Sequence, residues 1–168
     1  MIAFELRHFR MEDLDALVKH ASDPSVAANL TDSFPKPFTE EAARNFLDQA
    51  INTAPPLRRC IAIHGKAAGA IGLHAKQDVW RCNMELGYWI GKEFRGHGIM
   101  TEAIRRMVAL GFVTFPEVTR IFATPFGSNI ASQRSLEKAG FQLEAKLPAT
   151  LIKNGMVEDE LIYATRRP

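Results

Sequence analysis

The stretch EFRGHGIMTEA, residues 93–103, has the residue types and spacing to bind an anion. It places Arg95, Gly96, His97 and Gly98 directly before a segment with helical character. The first N–H groups of a helix are unpaired and lie at the positive end of its dipole, and glycines let a phosphate approach the backbone closely. An arginine beside them can add two parallel hydrogen bonds. These residues predict a phosphate-binding loop, and a glycine-rich turn that joins a strand to a helix is the alternative.

Two familiar phosphate-binding patterns do not fit this stretch. The lysine and hydroxyl residue that end the P-loop pattern GxxxxGK[ST] are missing. The dinucleotide-binding pattern GxGxxG is incomplete, because its third glycine and the following βαβ unit are absent.

A second stretch, NIASQRSLEKAGF at residues 129–141, carries polar side chains at a predicted helix start. Asn129 and Ser132 are three residues apart and therefore lie on one face of that helix. Asn129 can simply be the N-cap of the helix, and Ser132 can be an ordinary polar residue of its first turn. The two stretches together are more specific for a function than either stretch alone.

Strands and helices must position these stretches, and the apolar pattern predicts where they lie. The predicted strands cover residues 3–9, 58–64, 67–75, 82–91, 118–126, 141–147 and 157–166. The predicted helices run from 14 to 21, from the Thr39 cap to the stop at 54–56, from the glycine stretch to about Val113, and from Asn129 to Ala139. The second of these helices is predicted to bury Ala43, Phe46, Leu47, Ala50 and Ile51. The order β-α-α-β-β-β-α-β-α-β-β predicts a mixed α/β layer with helices on both faces.

The composition indicates a single globular domain, since 46% of the 168 residues are hydrophobic and 24% are charged. No apolar run reaches the roughly 20 residues of a membrane span, and the acidic start does not fit a signal or transit peptide, so we expect a cytoplasmic protein without a membrane partner. No dense Lys/Arg cluster with interleaved aromatic residues occurs, so nucleic acid is not an expected partner. Cys60 and Cys82 lack metal-binding spacing, and we expect two reduced, buried thiols and no metal site.

Charge is unevenly distributed along the chain. Residues 1–55 carry nine acidic and five basic residues, whereas residues 56–168 carry ten acidic and sixteen basic residues. A basic part suits a polyanionic small ligand and an acidic part suits a cationic one, although a chance imbalance of solvated surfaces gives the same counts.

These motifs resemble those of the GNAT superfamily of acyl-CoA-dependent N-acyltransferases, in particular the branch of ribosomal-protein-type N-terminal acetyltransferases, diamine acetyltransferases and their relatives. ELGYWIGKEFRGHGIMTEAI (85–104) is similar to the family's fourth strand, pyrophosphate loop and third helix. NIASQRSLEKAGF is similar to its fourth helix, and KNGMVEDELIY (153–163) to its closing hairpin. The resemblance extends over residues 3–166. Met100 stands where the loop pattern [QR]-x-x-G-x-[GA] has glycine or alanine. Members of this branch often carry a larger residue at that position.

The resemblance implies one N-acetyltransferase domain over residues 1–168. Its fold class is α/β, with a central mixed, mostly antiparallel sheet of about seven strands and helices on both faces. The resemblance also implies a splay between the fourth and fifth strands, where the pantetheine arm of acetyl-CoA lies.

The resemblance further implies that the anion is the pyrophosphate of acetyl-CoA, which is the co-substrate. The residues implied to bind it are Arg95, Gly96, His97, Gly98, Ile99, Met100 and Thr101. The pantetheine arm is implied to lie along the strand that ends at Trp89 and Ile90, with Asn129 bonded to it and Ser132 near the thioester sulfur.

The implied reaction is direct attack of a primary amine on the thioester. An α-amine, with a pKa of about 8, loses its proton more easily than a lysine, with a pKa of about 10.4. Glu85 is the candidate general base, because a carboxylate buried beside apolar neighbours is a better proton acceptor, and a structural salt bridge is the alternative. The family implies a backbone N–H near Ile90 as oxyanion donor, and Ser132 or water as the group that protonates the leaving thiolate.

The acceptor is not specified by these motifs. The acceptor can be a protein N-terminal α-amine or a small amine such as a polyamine. The motifs also allow an acyl group other than acetyl. A non-catalytic module that only binds CoA is a further alternative. A homodimer is a further expectation, since relatives often dimerise.

Overall fold

The computed structural model describes residues 2–168. Its strands are β1 Glu5–Arg7, β2 Arg58–Ile63, β3 Lys66–Ala75, β4 Asn83–Ile90, β5 Arg120–Ala123, β6 Gln142–Lys153 and β7 Met156–Arg166. Its α-helices are α1 Leu14–Ala21, α2 Pro24–Ala27, α3 Glu40–Asn52, α4 Ile99–Thr114 and α5 Ile130–Lys138. Short 3-10 helices lie at Met11–Asp13, Asp78–Trp80 and Lys92–Phe94. Within residues 2–168, every helix is too short or too polar to span a lipid bilayer.

The seven strands form one sheet in the order β1-β2-β3-β4-β5-β7-β6. β4 and β5 run parallel, whereas β1 with β2, β2 with β3, β5 with β7, and β6 with β7 run antiparallel. This confirms the mixed, mostly antiparallel sheet that the sequence predicts. Among the described residues, β4 and β5 pair from Asn83↔Arg120 to Glu85↔Phe122, although β4 continues to Ile90.

The chain forms two compact units, and the first comprises the described residues up to Gly72 together with Tyr88–Ala103. Its buried cluster consists of Phe9, Leu17, Ala21, Phe38, Ala43, Leu47, Ala50, Cys60, Ala62, Ala67 and Ala70. Thr39 caps α3, as predicted, because its side chain accepts a hydrogen bond from the Ala42 N–H. The predicted burial of Ile51 is wrong: it lies in the last turn of α3 and is 42% exposed.

The second unit comprises Leu73–Gly87 and Ile104–Pro168. Its largest fully buried side chains are Leu73, Met84, Ile104, Met107, Val118, Ile121 and Leu136. α5 ends at the predicted position, because Gly140 follows the C-cap with a φ of 97° and takes the left-handed conformation that glycine adopts at little cost.

β6 and β7 form a hairpin at the edge of the sheet. Asn154 and Gly155 turn the chain with φ angles of 50° and 76°, as the predicted turn requires. Both strands are longer than predicted, and β6 continues past Pro148. Its register with β7 shifts between Leu147 and Leu151, so this outermost strand is interrupted by an irregularity.

Four predicted strands are shorter in the structure, and the difference is largest for β1 and β5. β1 pairs with β2 from Glu5 to Arg7, and β5 covers Arg120–Ala123. A strand ends where its hydrogen bonds to the neighbouring strand end, and the alternation of apolar and polar residues does not reveal that point.

Candidate active site

The predicted phosphate loop joins a 3-10 helix to the start of α4. Arg95, Gly96, His97 and Gly98 are all exposed, and the buried Ile99 begins α4. The φ angles of Gly96 and Gly98 are 80° and 76°, a left-handed conformation in which residues with a side chain are strained. A Cβ built on Gly96 meets no atom within 4 Å, so the loop is open on that side. The unpaired first N–H groups of the 16-residue helix α4 therefore come directly after an exposed loop whose conformation depends on two glycines.

Backbone hydrogen bonds hold the segment that leads into this loop. The Gly91 N–H donates to Ala68 O at 2.8 Å, and the Phe94 N–H donates to Gly91 O at 3.0 Å. Arg95 Nε donates to Ile90 O at 3.3 Å, which ties the side chain to the end of β4. Among the described residues, the two terminal nitrogens of Arg95 have no hydrogen-bond partner. They remain able to donate to an anion.

The C-terminal turn of α1 supports the same segment, a contact that sequence reasoning missed. His20 Nδ1 and Lys19 Nζ each lie 3.3 Å from Glu93 Oε1. The His20 ring also packs edge-on against Phe94, with ring centroids 5.3 Å apart. Burial lowers the pKa of His20, and the nearby Glu93 carboxylate partly opposes that change. No pattern in the sequence pairs residue 20 with residue 93, so only the tertiary structure reveals this support.

Trp89 and Ile90, the residues predicted to lie along the cofactor, end β4 in the first unit. Ile90 is buried, and Trp89 is half-buried with its ring 6.4 Å from that of Phe34. A Cβ on Gly69 would lie 2.4 Å from Trp89 O, so the backbone of β3 approaches β4 too closely for a larger residue. Close packing therefore fixes this end of β4.

Asn129 and Ser132 lie together at the start of α5. Asn129 Oδ1 accepts a hydrogen bond from the Ser132 N–H at 3.2 Å, so Asn129 is the N-cap that the sequence allowed. Its amide nitrogen has no hydrogen-bond partner among the described residues and remains able to donate. Both side chains are half-buried.

Glu85 forms an ion pair. Lys76 Nζ lies 2.5 Å from Glu85 Oε2, and Thr124 Oγ1 donates to Oε1 at 3.5 Å. The Glu85 side chain is 33% exposed. The expected burial among apolar neighbours is therefore wrong, because β3 continues to Ala75 and the following turn delivers Lys76 to the carboxylate. The carboxylate is nevertheless open to solvent and able to accept a hydrogen bond.

The sequence profile of the acetyltransferase (GNAT) domain matches residues 4–142 of the chain. The chain belongs to the GNAT acetyltransferase family. This GNAT protein is 37% identical to the uncharacterized N-acetyltransferase YoaA of Bacillus subtilis (strain 168) over 100 residues, which are 60% of this chain and 55% of YoaA. The chain spans about half the length of three curated relatives from Bacillus subtilis that it matches.

Solved structures share the fold of this GNAT protein over nearly its whole length. The GNAT-family acetyltransferase from Bacillus anthracis is 26% identical with a TM-score of 0.81, and the match covers 98% of this chain and 97% of that one. RimL, a ribosomal L7/L12 alpha-N-protein acetyltransferase solved with coenzyme A, is 20% identical with a TM-score of 0.82 over 99% and 96%. The RimL likeness shows the fold alone. Together with the strand order, these matches confirm an α/β GNAT fold with a seven-stranded mixed sheet and helices on both sides.

The cysteines of this GNAT protein are both unpaired. Cys60 is buried, and burial raises the pKa of its thiol to about 12. Cys82 is only half-buried, so the predicted burial is wrong for this residue. Residues 2–168 contain no group of three or more His, Cys, Asp or Glu side chains placed to hold a metal ion.

Proposed function

We propose that the protein is an acetyl-CoA-dependent N-acetyltransferase that transfers an acetyl group to a primary amine by direct attack. The observation that carries this proposal is the loop Arg95–Gly98, with two left-handed glycines directly before α4 in a chain of the GNAT family. Backbone N–H groups at a helix start bind phosphate well, and this loop is exposed and open.

The loop supports a role in binding the pyrophosphate of the co-substrate. N–H groups between Gly96 and Thr101 bind the phosphate oxygens, and the terminal nitrogens of Arg95 add charge-assisted hydrogen bonds. The pantetheine arm runs along the end of β4 at Trp89 and Ile90. The amide nitrogen of Asn129 donates to that arm, because its oxygen is already used to cap α5.

The reaction begins when the acceptor amine loses a proton. Glu85 accepts this proton directly or through a water molecule, since its carboxylate is solvent-accessible. The neutral nitrogen then attacks the thioester carbon, and a backbone N–H near Ile90 stabilises the oxyanion. The attached nitrogen then loses its second proton, which passes through water or the Ser132 hydroxyl to the departing thiolate as the C–S bond breaks and the amide forms.

The acceptor is a protein N-terminal amine or a small amine. The first class is supported by a relative in Bacillus subtilis (strain 168), the putative ribosomal N-acetyltransferase YdaF, which is 37% identical over 100 residues. An α-amine also needs less help to lose its proton near neutral pH, with a pKa of about 8. The acidic residues of the first 55 positions support a cationic small amine.

A non-catalytic CoA-binding module is the second candidate, and the Lys76–Glu85 ion pair favours it. An ion pair of this kind can serve structure alone, in which case acetyl-CoA binds without turnover. The substitution Glu85→Gln separates the two candidates, because it lowers turnover only if the carboxylate is the general base.

The first experiment is a thermal melt with and without saturating acetyl-CoA. Binding at 100 times Kd adds about 2.7 kcal/mol, which raises the melting temperature of a domain of this size by roughly 5–11 °C. Gly96→Asp places a carboxylate in the loop, and aspartate tolerates a left-handed φ, so the fold survives while the pyrophosphate is repelled.

Gly155→Asp is the matched control for this variant. Gly155 has nearly the same φ as Gly96, at 76° against 80°, and it too has nothing within 4 Å of a Cβ. We expect Gly155→Asp to keep the full shift and Gly96→Asp to lose it. An unshifted wild-type protein, or equal shifts in the two variants, contradicts the assignment of the loop.

A further inference from the structure

A pocket of about 420 Å³ lies in the second unit, and two of its lining residues, Lys76 and Phe122, are neighbours of Glu85. Its lining includes Lys76, Trp80, Asn83, Arg120 and Phe122. This volume lies within the range of about 300–1,000 Å³ that is typical of small-molecule sites. Phe122 is the register partner of Glu85, and Lys76 is bonded to Glu85. A group that enters this pocket therefore lies beside the candidate base.

The two cations in the lining are already neutralised. Lys76 donates to Glu85, and Arg120 donates through Nε and NH2 to Glu144 Oε2 at 3.0 and 2.6 Å. A third Arg120 nitrogen donates to Asn83 Oδ1 at 2.9 Å. An anionic ligand would have to displace a carboxylate from one of these cations, so the pocket is poorly suited to anions.

Aromatic rings form much of the remaining surface. Lys76 Nζ and Arg120 Cζ lie 5.4 and 4.6 Å from the centroid of Phe122, and these cation–π contacts help to hold the ring in place. The indole of Trp80 is 65% exposed. Its backbone is fixed, because the Trp80 N–H donates to Gln77 O and Asn83 Nδ2 donates to Trp80 O. Two hydrogen bonds thus hold the backbone from which the exposed indole projects.

We infer that this pocket binds an uncharged aromatic or branched aliphatic group attached to the acceptor amine, and so selects the acceptor. The inference rests on the proposed function. Covering the exposed indole with an apolar group is favourable. A charged side chain of either sign would lose hydration in a pocket whose cations and carboxylates already pair with one another. Asp78 also lines the pocket, but its carboxylate is solvent-exposed and its attraction for a cation is screened.

The test compares three acceptors that share one α-amine and differ in side chain: phenylalaninamide, alaninamide and argininamide. We expect phenylalaninamide to have the highest kcat/KM. Truncating an aromatic contact costs roughly tenfold or more in affinity, so Trp80→Ala should raise the KM for phenylalaninamide by about that factor and leave the KM for acetyl-CoA unchanged. Trp80→Phe should restore most of the preference because it retains a ring.

Val79→Ala is the matched control, since Val79 is 68% exposed on the same turn and does not line the pocket. It should leave the acceptor preference unchanged. Equal effects of Trp80→Ala and Val79→Ala, or a wild-type preference for argininamide or alaninamide, would overturn the inference.

Tryptophan emission supplies a readout that does not depend on turnover, because the chain has two tryptophans, Trp80 and Trp89. Phenylalaninamide should shift the emission of the wild-type protein to shorter wavelength and should not do so in Trp80→Phe. A shift without turnover of any amine rejects the proposed function alone. Turnover of phenylalaninamide without a shift rejects the pocket alone.

Discussion

Lys76 Nζ lies 2.5 Å from Glu85 Oε2, and the two side chains are 39% and 33% exposed. An ion pair this exposed contributes at most about 1 kcal/mol to stability. Loss of activity on changing either residue cannot therefore be explained by unfolding. The pair gives Glu85 a fixed orientation and leaves its other oxygen to Thr124 and solvent.

Glu85→Gln should lower kcat by about 10²–10⁴ if Glu85 is the general base, because the amide cannot accept the proton of the amine. The KM for acetyl-CoA should stay unchanged. Steady-state release of the CoA thiol measures both constants. Asp159→Asn is the matched control, since Asp159 is also 33% exposed and is paired with Lys146 at 3.1 Å. An unaltered kcat in Glu85→Gln would mean that the carboxylate is structural and that water carries the proton.

Two substitutions of Asn129 can separate its contribution to stability from its proposed contribution to binding acetyl-CoA. Asn129→Ala removes the cap of α5 and should cost about 0.5–2 kcal/mol in the free energy of unfolding, measured with urea. Asn129→Asp keeps an oxygen for the Ser132 N–H and should unfold like the wild type. If the amide nitrogen bonds the pantetheine arm, Asn129→Asp should still raise the KM for acetyl-CoA. A normal KM in this variant would leave Asn129 as a cap alone.

His20 should make stability depend on pH in the slightly acidic range. Burial lowers the pKa of His20 in the folded protein, so the unfolded chain binds a proton at a higher pH than the folded protein does. The contribution of neutral His20 to the free energy of unfolding is fully present above the pKa of histidine in the unfolded chain, about 6.5. It is lost as the pH falls through that value toward the pKa of His20 in the folded protein. Melting temperatures of the wild type and His20→Gln between about pH 7.5 and 5.5 should therefore converge as the pH falls.

The control for the His20 measurement is His97→Gln, because His97 is exposed in the loop. This variant should follow the wild-type pH profile. Parallel profiles for wild type and His20→Gln would show that burial of His20 does not change its protonation on folding.

Gly111 in α4 should resist replacement even though alanine is the better helix former. A Cβ there would lie 2.5 Å from Leu73 Cδ1, and Leu73 is buried. Overpacking of about 1–3 kcal/mol outweighs the roughly 1 kcal/mol gained in helix propensity, so Gly111→Ala should destabilise by about 1 kcal/mol. In a Leu73→Val background, which lacks the clashing methyl group, the same change should be neutral or stabilising. Equal losses in both backgrounds would place the strain elsewhere.

Local chemistry explains which parts of the structure the sequence predicted. The Thr39 cap, the glycine after α5, the Asn154–Gly155 turn and the loop before α4 each depend on a few adjacent residues. Their conformations follow from side-chain capping and from the freedom of glycine at positive φ. The mixed, mostly antiparallel sheet of about seven strands followed from the family resemblance and is confirmed by the structure, whereas the order of its strands comes from the structure alone.

Tertiary contacts account for what the sequence did not predict. The environment of Glu85 depends on where the turn after β3 places Lys76, and the support of the loop depends on His20, which is 73 positions from Glu93. The role of Trp80 was equally hidden, because a solvent-exposed indole carries no periodic signal. Periodicity reports which residues face a core and not which side chains meet.

The interrupted outer strand β6 bears on how copies of this protein behave when concentrated. Pro148 has no N–H to offer, Ala149 has a positive φ of 57°, and the Ala149 N–H donates to Asp159 Oδ1 of the neighbouring strand at 3.0 Å. An uninterrupted row of edge N–H and C=O groups would template the addition of further chains and lead toward fibrils. This edge instead ends the sheet, so a symmetric dimer has to form through another surface than a continuous β6–β6 ladder.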